Sequence, residues 1–241
     1  IYSYRSNIVV YDSEFDMQPT ANPPSRTYGI YADSQYPDEY VIKVKNNPIG
    51  SLNTFSNLTY GIYIEKSNYS HIYSNTIENC DNGITLNKCT WYEINDNTIN
   101  DFETGIGAYN SIGTDNAGHG ATNYILRNNL NAGIPLEKLL RYGETAIDNT
   151  NVVSQNIPVR ITTNTIYNSK IGIYANNAYK NTIGMDATDY NTIVDESLPD
   201  GGAPHYGIWI DNSPHTNING NQVSYTGEQI TSTGSGFVDS H

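Results

Sequence analysis

Four polar residues of the 241-residue chain could form an acid–base centre: His119, Asp115, Arg127 and Asp211. A histidine or a carboxylate can transfer a proton near neutral pH, and an arginine can stabilise the negative charge that develops when a bond breaks. These residues lie far apart in the sequence, so they could act together only if the fold assembles them. A compact cluster would indicate an enzyme. Scattered, solvated positions are the alternative.

Metal and thiol chemistry have fewer candidates. Asp195, Glu196 and Asp200 offer the oxygen ligands that Ca²⁺ takes, but their spacing matches no defined calcium loop. We therefore predict no metal and no cofactor, and keep Ca²⁺ as the alternative. Cys80 and Cys89 are too few for a disulfide framework and lack zinc spacing. We predict that both are small buried thiols, with a disulfide as the alternative.

An internal repeat determines the elements that would position these residues. The string of an apolar residue, two variable residues, Asn, one residue and an apolar residue recurs, for example at 72–77 and 94–99. A Gly-Ile string precedes it. Asn75 falls between Gly61 and Gly83, and the distance between those two glycines defines the repeat (83 − 61 = 22). Repeats of this length indicate a solenoid.

Composition and alternation define the fold class. The chain has 33 Asn, 21 Tyr and 20 Gly, which favours strands and turns and excludes a helical bundle. Each unit holds two or three short strands, and each strand would pair with its copy one coil away, about 4.8 Å along the axis. We predict an all-β fold, a right-handed single-stranded parallel β-helix of about seven coils.

The repeated Asn has a structural interpretation. In a coil of this kind it would stack in a turn and form an amide ladder along the axis. The predicted ladder is Asn47, Asn75, Asn97, Asn128, Asn164, Asn191 and Asn221.

We expect residues 1–241 to form a single domain that is a segment of a longer secreted protein. Regular spacing is interrupted by insertions at 110–122, 131–160, 185–190 and 195–206. Within 131–160, the first strand of the coil is either 133–137 or 145–148. Function on a solenoid tends to lie in such insertions.

The outward face of the first strand offers a binding surface. Alternation places aromatic rings there beside carboxylates and amides, a combination that can pack on sugar rings and bond their hydroxyls. The candidate glycan-binding residues are Tyr31, Tyr63, Glu65, Asn87, Tyr109, Tyr174, Trp209 and Asp211. The alternative is that stacked aromatic rings only stabilise neighbouring strands.

The charge restricts the partners. Twelve basic and 25 acidic side chains give a formal charge of −13, which argues against a nucleic-acid partner because phosphate binding needs clustered Lys and Arg. No apolar run is long enough to span a membrane. The open ends of a β-helix would accept neighbouring coils or subunits, so those and a polysaccharide or cell-surface glycan are the expected partners.

These repeats resemble the right-handed parallel β-helix superfamily, which includes pectate lyases, polygalacturonases, phage tailspikes, surface adhesins and generic repeat proteins of bacterial surfaces and periplasm. The resemblance covers roughly residues 28–225 and is greatest to the generic repeat proteins. Gly118-His119-Gly120 is similar to a polygalacturonase motif, but the Asn-Thr-Asp, Asp-pair and Arg-x-Lys motifs of those enzymes are missing.

We therefore expect a non-catalytic extracellular or cell-surface module with a structural or adhesive role, which binds glycan along its aromatic and acidic face. The first alternative is a polysaccharide lyase or glycoside hydrolase that acts on an acidic polysaccharide. The second is a periplasmic accessory β-helix that assists metal-cofactor assembly, although the chain has only 2 Met and its 5 His show no ligand spacing.

Overall fold

A computed structural model describes residues 1–17, 26–35, 41–45, 53–67, 69–110, 123–132, 145–151, 158–185, 188–194, 206–224, 228–233 and 238–240. Across these residues all regular structure is β-strand, with no helix. The first twelve strands are β1 (Tyr2–Tyr4), β2 (Ile8–Val10), β3 (Glu14–Asp16), β4 (Tyr28–Asp33), β5 (Val41–Lys45), β6 (Thr54–Ser56), β7 (Tyr60–Glu65), β8 (Tyr69–Tyr73), β9 (Thr76–Asn87), β10 (Tyr92–Asn95), β11 (Thr98–Tyr109) and β12 (Asn123–Leu126). The remaining twelve are β13 (Asn129–Asn131), β14 (Thr145–Thr150), β15 (Val159–Thr162), β16 (Thr165–Tyr167), β17 (Ile171–Asn176), β18 (Asn181–Ile183), β19 (Thr192–Val194), β20 (Tyr206–Asp211), β21 (Thr216–Ile218), β22 (Gln222–Ser224), β23 (Glu228–Thr233) and β24 (Val238–Ser240).

The strands form three parallel stacks, which each coil visits in the order A, B, C. Stack A contains β1, β4, β7, the second halves of β9 and β11, β14, β17, β20 and β23. Stack B is a separate nine-stranded sheet of β2, β5, β8, β10, β12, β15, β18, β21 and β24. Stack C contains β3, β6, the first halves of β9 and β11, β13, β16, β19 and β22. The predicted right-handed parallel β-helix is confirmed.

The sequence repeat determines which residues pair between successive coils of each stack. Tyr60 pairs with Asn82 in stack A, and Thr76 pairs with Thr98 in stack C, so each strand meets its own copy one repeat later (82 − 60 = 22 and 98 − 76 = 22). Side chains predicted to point inward in stack A are buried: Ile30, Ala32, Ile62, Ile64, Ile84, Leu86, Ile106, Ala108, Ile173, Ala175, Ile208 and Ile210. Isoleucine fills most of the core because β-branched side chains suit a pleated, tightly stacked strand.

A ladder of buried Asn side chains, here called the inner ladder, runs through the turn between stacks B and C. Each side-chain Nδ2 donates to the Oδ1 of the Asn one coil further on, at 2.8–3.0 Å. Asn97 shows the full pattern: its Nδ2 also donates to the Ile72 carbonyl at 3.0 Å, and its Oδ1 accepts the Asn75 backbone N–H at 3.0 Å. Each amide therefore joins three successive coils.

Two details of the repeat differ from the prediction. The first rung that the structure describes is Asn53, not Asn47: Asn53 comes nine positions after Val44 in the sequence, whereas Asn75 comes three positions after Ile72 (53 − 44 = 9, 75 − 72 = 3). Asn47 itself lies outside the described residues. Among the described residues stack B contains nine strands, whereas the repeated strings indicate about seven coils; the terminal strands β2 and β24 lack the consensus.

Close coil stacking explains the repeated glycine. A Cβ at Gly83 would lie 2.5 Å from the Gly105 carbonyl oxygen in the next coil, and one at Gly172 would lie 2.5 Å from the Gly207 oxygen. The corners also require left-handed backbone, which Asn adopts more readily than most residues. At the corner after stack A, Asn110, Asn151 and Asn177 have φ of 54°, 56° and 47°.

Removal of one rung should destabilise the whole helix. In Asn97→Ala the buried Asn75 N–H and Ile72 carbonyl lose their partners, and we expect the free energy of unfolding to fall by about 3 kcal/mol. The matched control is Asn129→Ala, at an exposed strand position beside Asn128, which should change it by less than about 0.5 kcal/mol. Urea unfolding followed by circular dichroism measures both. Equal effects would contradict the structural importance of the inner ladder.

Candidate functional site

The outward face of stack A presents two parallel columns of side chains. The first outer column is Tyr31, Tyr63, Thr85, Gly107, Asp148, Tyr174 and Trp209. The second outer column is Asp33, Glu65, Asn87, Tyr109, Thr150, Asn176 and Asp211. Within each column, neighbouring side chains come from adjacent strands, because the parallel pairing of the stack A strands fixes their register.

An aromatic group occupies the N-terminal part of this face. Tyr31 is stacked between Tyr2 and Tyr63, with ring centroids 5.1 and 5.3 Å away and nearly parallel planes. Tyr28 and Tyr60 form a second stack and meet the first edge to face. Both faces of the Tyr31 ring are therefore covered, which leaves Tyr63 as the ring that faces Thr85. Tyr31, a predicted sugar contact, lies inside this stack, and its role in sugar binding stays a prediction.

A second aromatic group lies toward the C-terminus. The Tyr174 and Trp209 centroids are 5.0 Å apart, and Tyr206 lies 4.9 Å from Trp209. These planes are tilted by 49° and 35°, so the rings form an open arrangement and not a closed stack. Tyr174 is the ring nearest to Asp148 along the column.

Between the two aromatic groups the first outer column contains only Thr85, Gly107 and Asp148, which we call the central gap. Tyr63 and Tyr174 are four strand steps apart across it, or about 19 Å at about 4.8 Å per step. The Tyr109 ring partly fills the gap: a Cβ at Gly107 would lie 2.4 Å from its Cε2 and 2.6 Å from its hydroxyl. Glycine at position 107 thus makes space for the ring of Tyr109.

Tyr109 and Asp148 form a polar pair in the central gap. The Tyr109 hydroxyl interacts with the Asp148 carboxylate and the Thr104 hydroxyl, and Thr150 Oγ1 donates to Asp148 Oδ1 at 2.6 Å. Burial raises the pKa of the Asp148 carboxyl, against the opposing effect of its two hydroxyl donors. Burial, with the nearby Asp148 charge, also raises the pKa of Tyr109.

The second outer column is mainly acidic and amide-bearing. Tyr31 donates to Glu65 at 3.3 Å, and burial together with Glu65 and Asp33 raises the pKa of Tyr31 to about 12. Lys66 lies 3.4 Å from Glu65 and 3.8 Å from Asp33, so these two carboxylates share a cation. Asn87 Nδ2 reaches the Tyr63 hydroxyl at 3.5 Å.

The structure does not bring the described members of the predicted catalytic cluster together. Arg127 follows β12 in stack B and forms a two-point ion pair with Asp96 at 2.8 and 2.9 Å. Asp211 ends β20 in stack A, at a different corner of the coil. His119 and Asp115, with the acidic loop residues Asp195, Glu196 and Asp200, lie outside the described residues.

The cysteines are free and buried in the core. Burial raises the pKa of Cys80 to about 11 and that of Cys89 to about 12, so both remain neutral thiols at physiological pH. Cys80 pairs with Phe102 in the stack, which is consistent with a packing role.

Sequence reasoning missed two polar clusters. Asp148 was not assigned to the aromatic column, because two segments competed for the first strand of its coil; β14 shows that it is 145–150. The second cluster is in stack B, where His71 Nδ1 lies 2.9 Å from the Tyr73 hydroxyl, which in turn donates to Glu93. Glu93 occupies the position of His71 one repeat later, so the repeat could have revealed this pair.

Comparison with known proteins identifies a family. Residues 25–157 match the family described as periplasmic copper-binding protein (NosD). The match covers more than half of the chain (157 − 25 + 1 = 133, against 241). The chain belongs to the NosD family. No curated protein and no solved structure matches it.

NosD membership agrees with the parallel β-helix and favours the periplasmic alternative over the cell-surface module that we expected. Among the described residues no helix has the length and apolar character needed to cross a bilayer.

The central gap predicts an unusual pH dependence of stability. The folded-state pKa of Asp148 is raised, so its contribution to stability is greatest at low pH and is lost as pH rises through that pKa. Asp148→Asn should therefore raise the thermal midpoint at pH 7, and the gain should shrink as the pH is lowered toward 4. Glu103→Gln, which removes one exposed charge from β11, should show no such gain. Calorimetry across this pH range would contradict the assignment if Asp148→Asn were less stable than wild type at pH 7.

Proposed function

We propose that this NosD-family chain is a non-catalytic, carbohydrate-binding β-helix module that acts in the periplasm. The observation that carries the proposal is the central gap: two aromatic groups flank a row of small and polar side chains on the outer face of stack A. Tyr63 and Tyr174 supply rings at its two ends, and Asn87, Thr150 and Asn176 supply hydrogen-bonding groups along one side. Sugars combine hydrophobic ring faces with hydroxyls, so aromatic rings beside amides suit them.

The charge of this face restricts the class of saccharide that can bind. Glu65, Asp148 and Asp211 lie in the two outer columns, and the chain carries a formal charge of −13. An acidic polysaccharide would meet like charges here, which opposes binding. A neutral or basic saccharide fits better, and this also argues against the lyase or hydrolase that acts on an acidic polysaccharide.

Binding should be visible by native electrophoresis through gels that contain neutral, acidic or basic polysaccharides. We expect retardation by a neutral or basic polysaccharide, with no cleared zone of cleavage. Trp209→Ala should reduce the affinity at least about tenfold, because a tryptophan in a binding site commonly contributes more than about 2 kcal/mol. The control is Tyr124→Ala in stack B, whose ring lies under Arg160 and away from the outer columns.

Retardation that Trp209→Ala leaves unchanged would place binding elsewhere on the chain. A cleared zone would overturn the non-catalytic assignment, and retardation by acidic polysaccharides alone would contradict the expected charge preference.

The second candidate function is the periplasmic accessory role in metal-cofactor assembly, and the family match is the observation that favours it. The described residues do not fit a copper site. Copper prefers Cys, Met and His ligands, but Cys80 and Cys89 are neutral and buried. The described histidines His71 and His215 are separate, each beside a tyrosine. Among the described residues no three His, Cys, Asp or Glu side chains form a metal-binding group.

Copper titration separates the two candidates. We expect no stoichiometric Cu⁺ or Cu²⁺ binding when the purified chain is dialysed against each ion and analysed by elemental mass spectrometry. His71 lies beside Tyr73 and Glu93, and His71→Ala should leave the amount of copper bound per chain unchanged. One tightly held copper per chain would favour the accessory role over carbohydrate binding.

A further inference from the structure

The central gap also indicates which chemical group of a saccharide it receives, an inference that rests on the proposed carbohydrate-binding function. We propose that Asp148 and Tyr109 form a subsite for a protonated amino group, that Thr85 bonds a neighbouring polar group of the same ligand, and that the ligand is an amine-bearing saccharide such as an oligomer of unacetylated hexosamine.

Within the described part of the chain, Asp148 has hydroxyl partners but no cation. These partners, Thr150 and Tyr109, are neutral. In the part of the chain that the structure describes, no Lys, Arg or His nitrogen forms an ion pair with its carboxylate, whereas Glu65 and Asp96 each have such a cation. A partly buried carboxylate without a countercharge is costly. An ammonium group from a ligand would supply that charge and two or three N–H donors.

An unpaired hydroxyl in the same column supports ligand binding in the central gap independently of charge. Thr85 is 4% exposed, and its Oγ1 has no hydrogen-bond partner among the residues that the structure describes. It lies in the first outer column, one strand from Gly107 and two from Asp148. Buried hydroxyls are nearly always paired, and an unpaired one is destabilising. A hydroxyl left unpaired beside Gly107 is consistent with a partner that arrives with the ligand.

Tyr109 controls access to this subsite. Its ring occupies the space above Gly107, and its hydroxyl is held by Asp148 and Thr104. Tyr109 belongs to the second outer column, so its ring is not part of the stack that holds Tyr31 and Tyr63. A ligand ammonium can replace the Tyr109 hydroxyl at Asp148 while the displaced ring packs beside it, where its π face attracts the cation.

Oligosaccharide titration tests the subsite. The probes are a glucosamine tetramer and its fully N-acetylated counterpart, measured by calorimetry at about pH 6.5, where much of the amine is protonated. We expect the glucosamine tetramer to bind at least about tenfold more tightly to the wild-type chain. Asp148→Asn should reduce this preference to within about threefold.

Two further variants distinguish a specific amine subsite from non-specific electrostatic attraction between a cationic saccharide and the acidic chain. The three atoms nearest a Cβ at Gly107 all belong to the outer end of the Tyr109 ring, so Gly107→Ala should stay folded while Tyr109 moves away from Asp148. Because the Tyr109 hydroxyl then no longer competes for Asp148, the preference for the glucosamine tetramer should be at least that of the wild-type chain, and a loss of the preference would contradict the role of Tyr109. Glu103→Gln removes one exposed negative charge from the same strand and should leave the preference unchanged. Circular dichroism checks that each variant is folded.

The outcomes are distinguishable. Equal binding of both tetramers would overturn the amine subsite while carbohydrate binding survives. Equal losses in Asp148→Asn and Glu103→Gln would assign the preference to net charge and also overturn the subsite. No binding of these tetramers or of any polysaccharide tested by electrophoresis would overturn the proposed function itself.

Discussion

The inner ladder of Asn side chains fixes the position of each coil on the next. Every rung from Asn53 to Asn191 donates to the following rung, and Asn75, Asn97, Asn128, Asn164 and Asn191 also reach back to a carbonyl of the preceding coil. A shift of one residue would break these bonds and turn the isoleucine core outward, because side chains alternate between the two faces of a strand. The ladder and the core thus require the same register.

That register also organises the outer surface. Each outward side chain has one neighbour in the coil before it and one in the coil after it. The types of residue in a column therefore decide whether that column forms a closed stack or a binding surface. Continuous tyrosines, as at Tyr2, Tyr31 and Tyr63, form a closed stack that stabilises the coils. Substitution by Thr85, Gly107 and Asp148 interrupts the stack and creates the central gap. The insertions between strands can therefore vary without altering the spacing of this site.

Much of the fold follows from the sequence, because a strict repeat spacing leaves few structures for the chain to adopt. The buried side chains of stack A and the parallel coils both follow from alternation and repeat length. The terminal strands β2 and β24 could not be found in this way, since their residues depart from the consensus while still pairing through backbone atoms, which carry no sequence signal.

The candidate site was predictable only in part. Alternation placed Tyr63, Tyr174 and Trp209 outward on one face, but it gave no information on which rings cover one another. The position of Asp148 depended on which of two segments forms a strand, and the position of the Tyr109 ring over Gly107 depended on the absence of a side chain there. The ion pair between Arg127 and Asp96 joins neighbouring coils whose spacing an insertion displaces from the regular repeat.

A crystal structure of the chain with an amine-bearing oligosaccharide tests the proposed site most directly. We predict sugar along the outer columns of stack A, with an amine nitrogen within about 3 Å of the Asp148 carboxylate and the inner ladder unchanged. Sugar bound on stack B or at the ends of the helix, with Tyr109 still in contact with Asp148, would contradict the proposal.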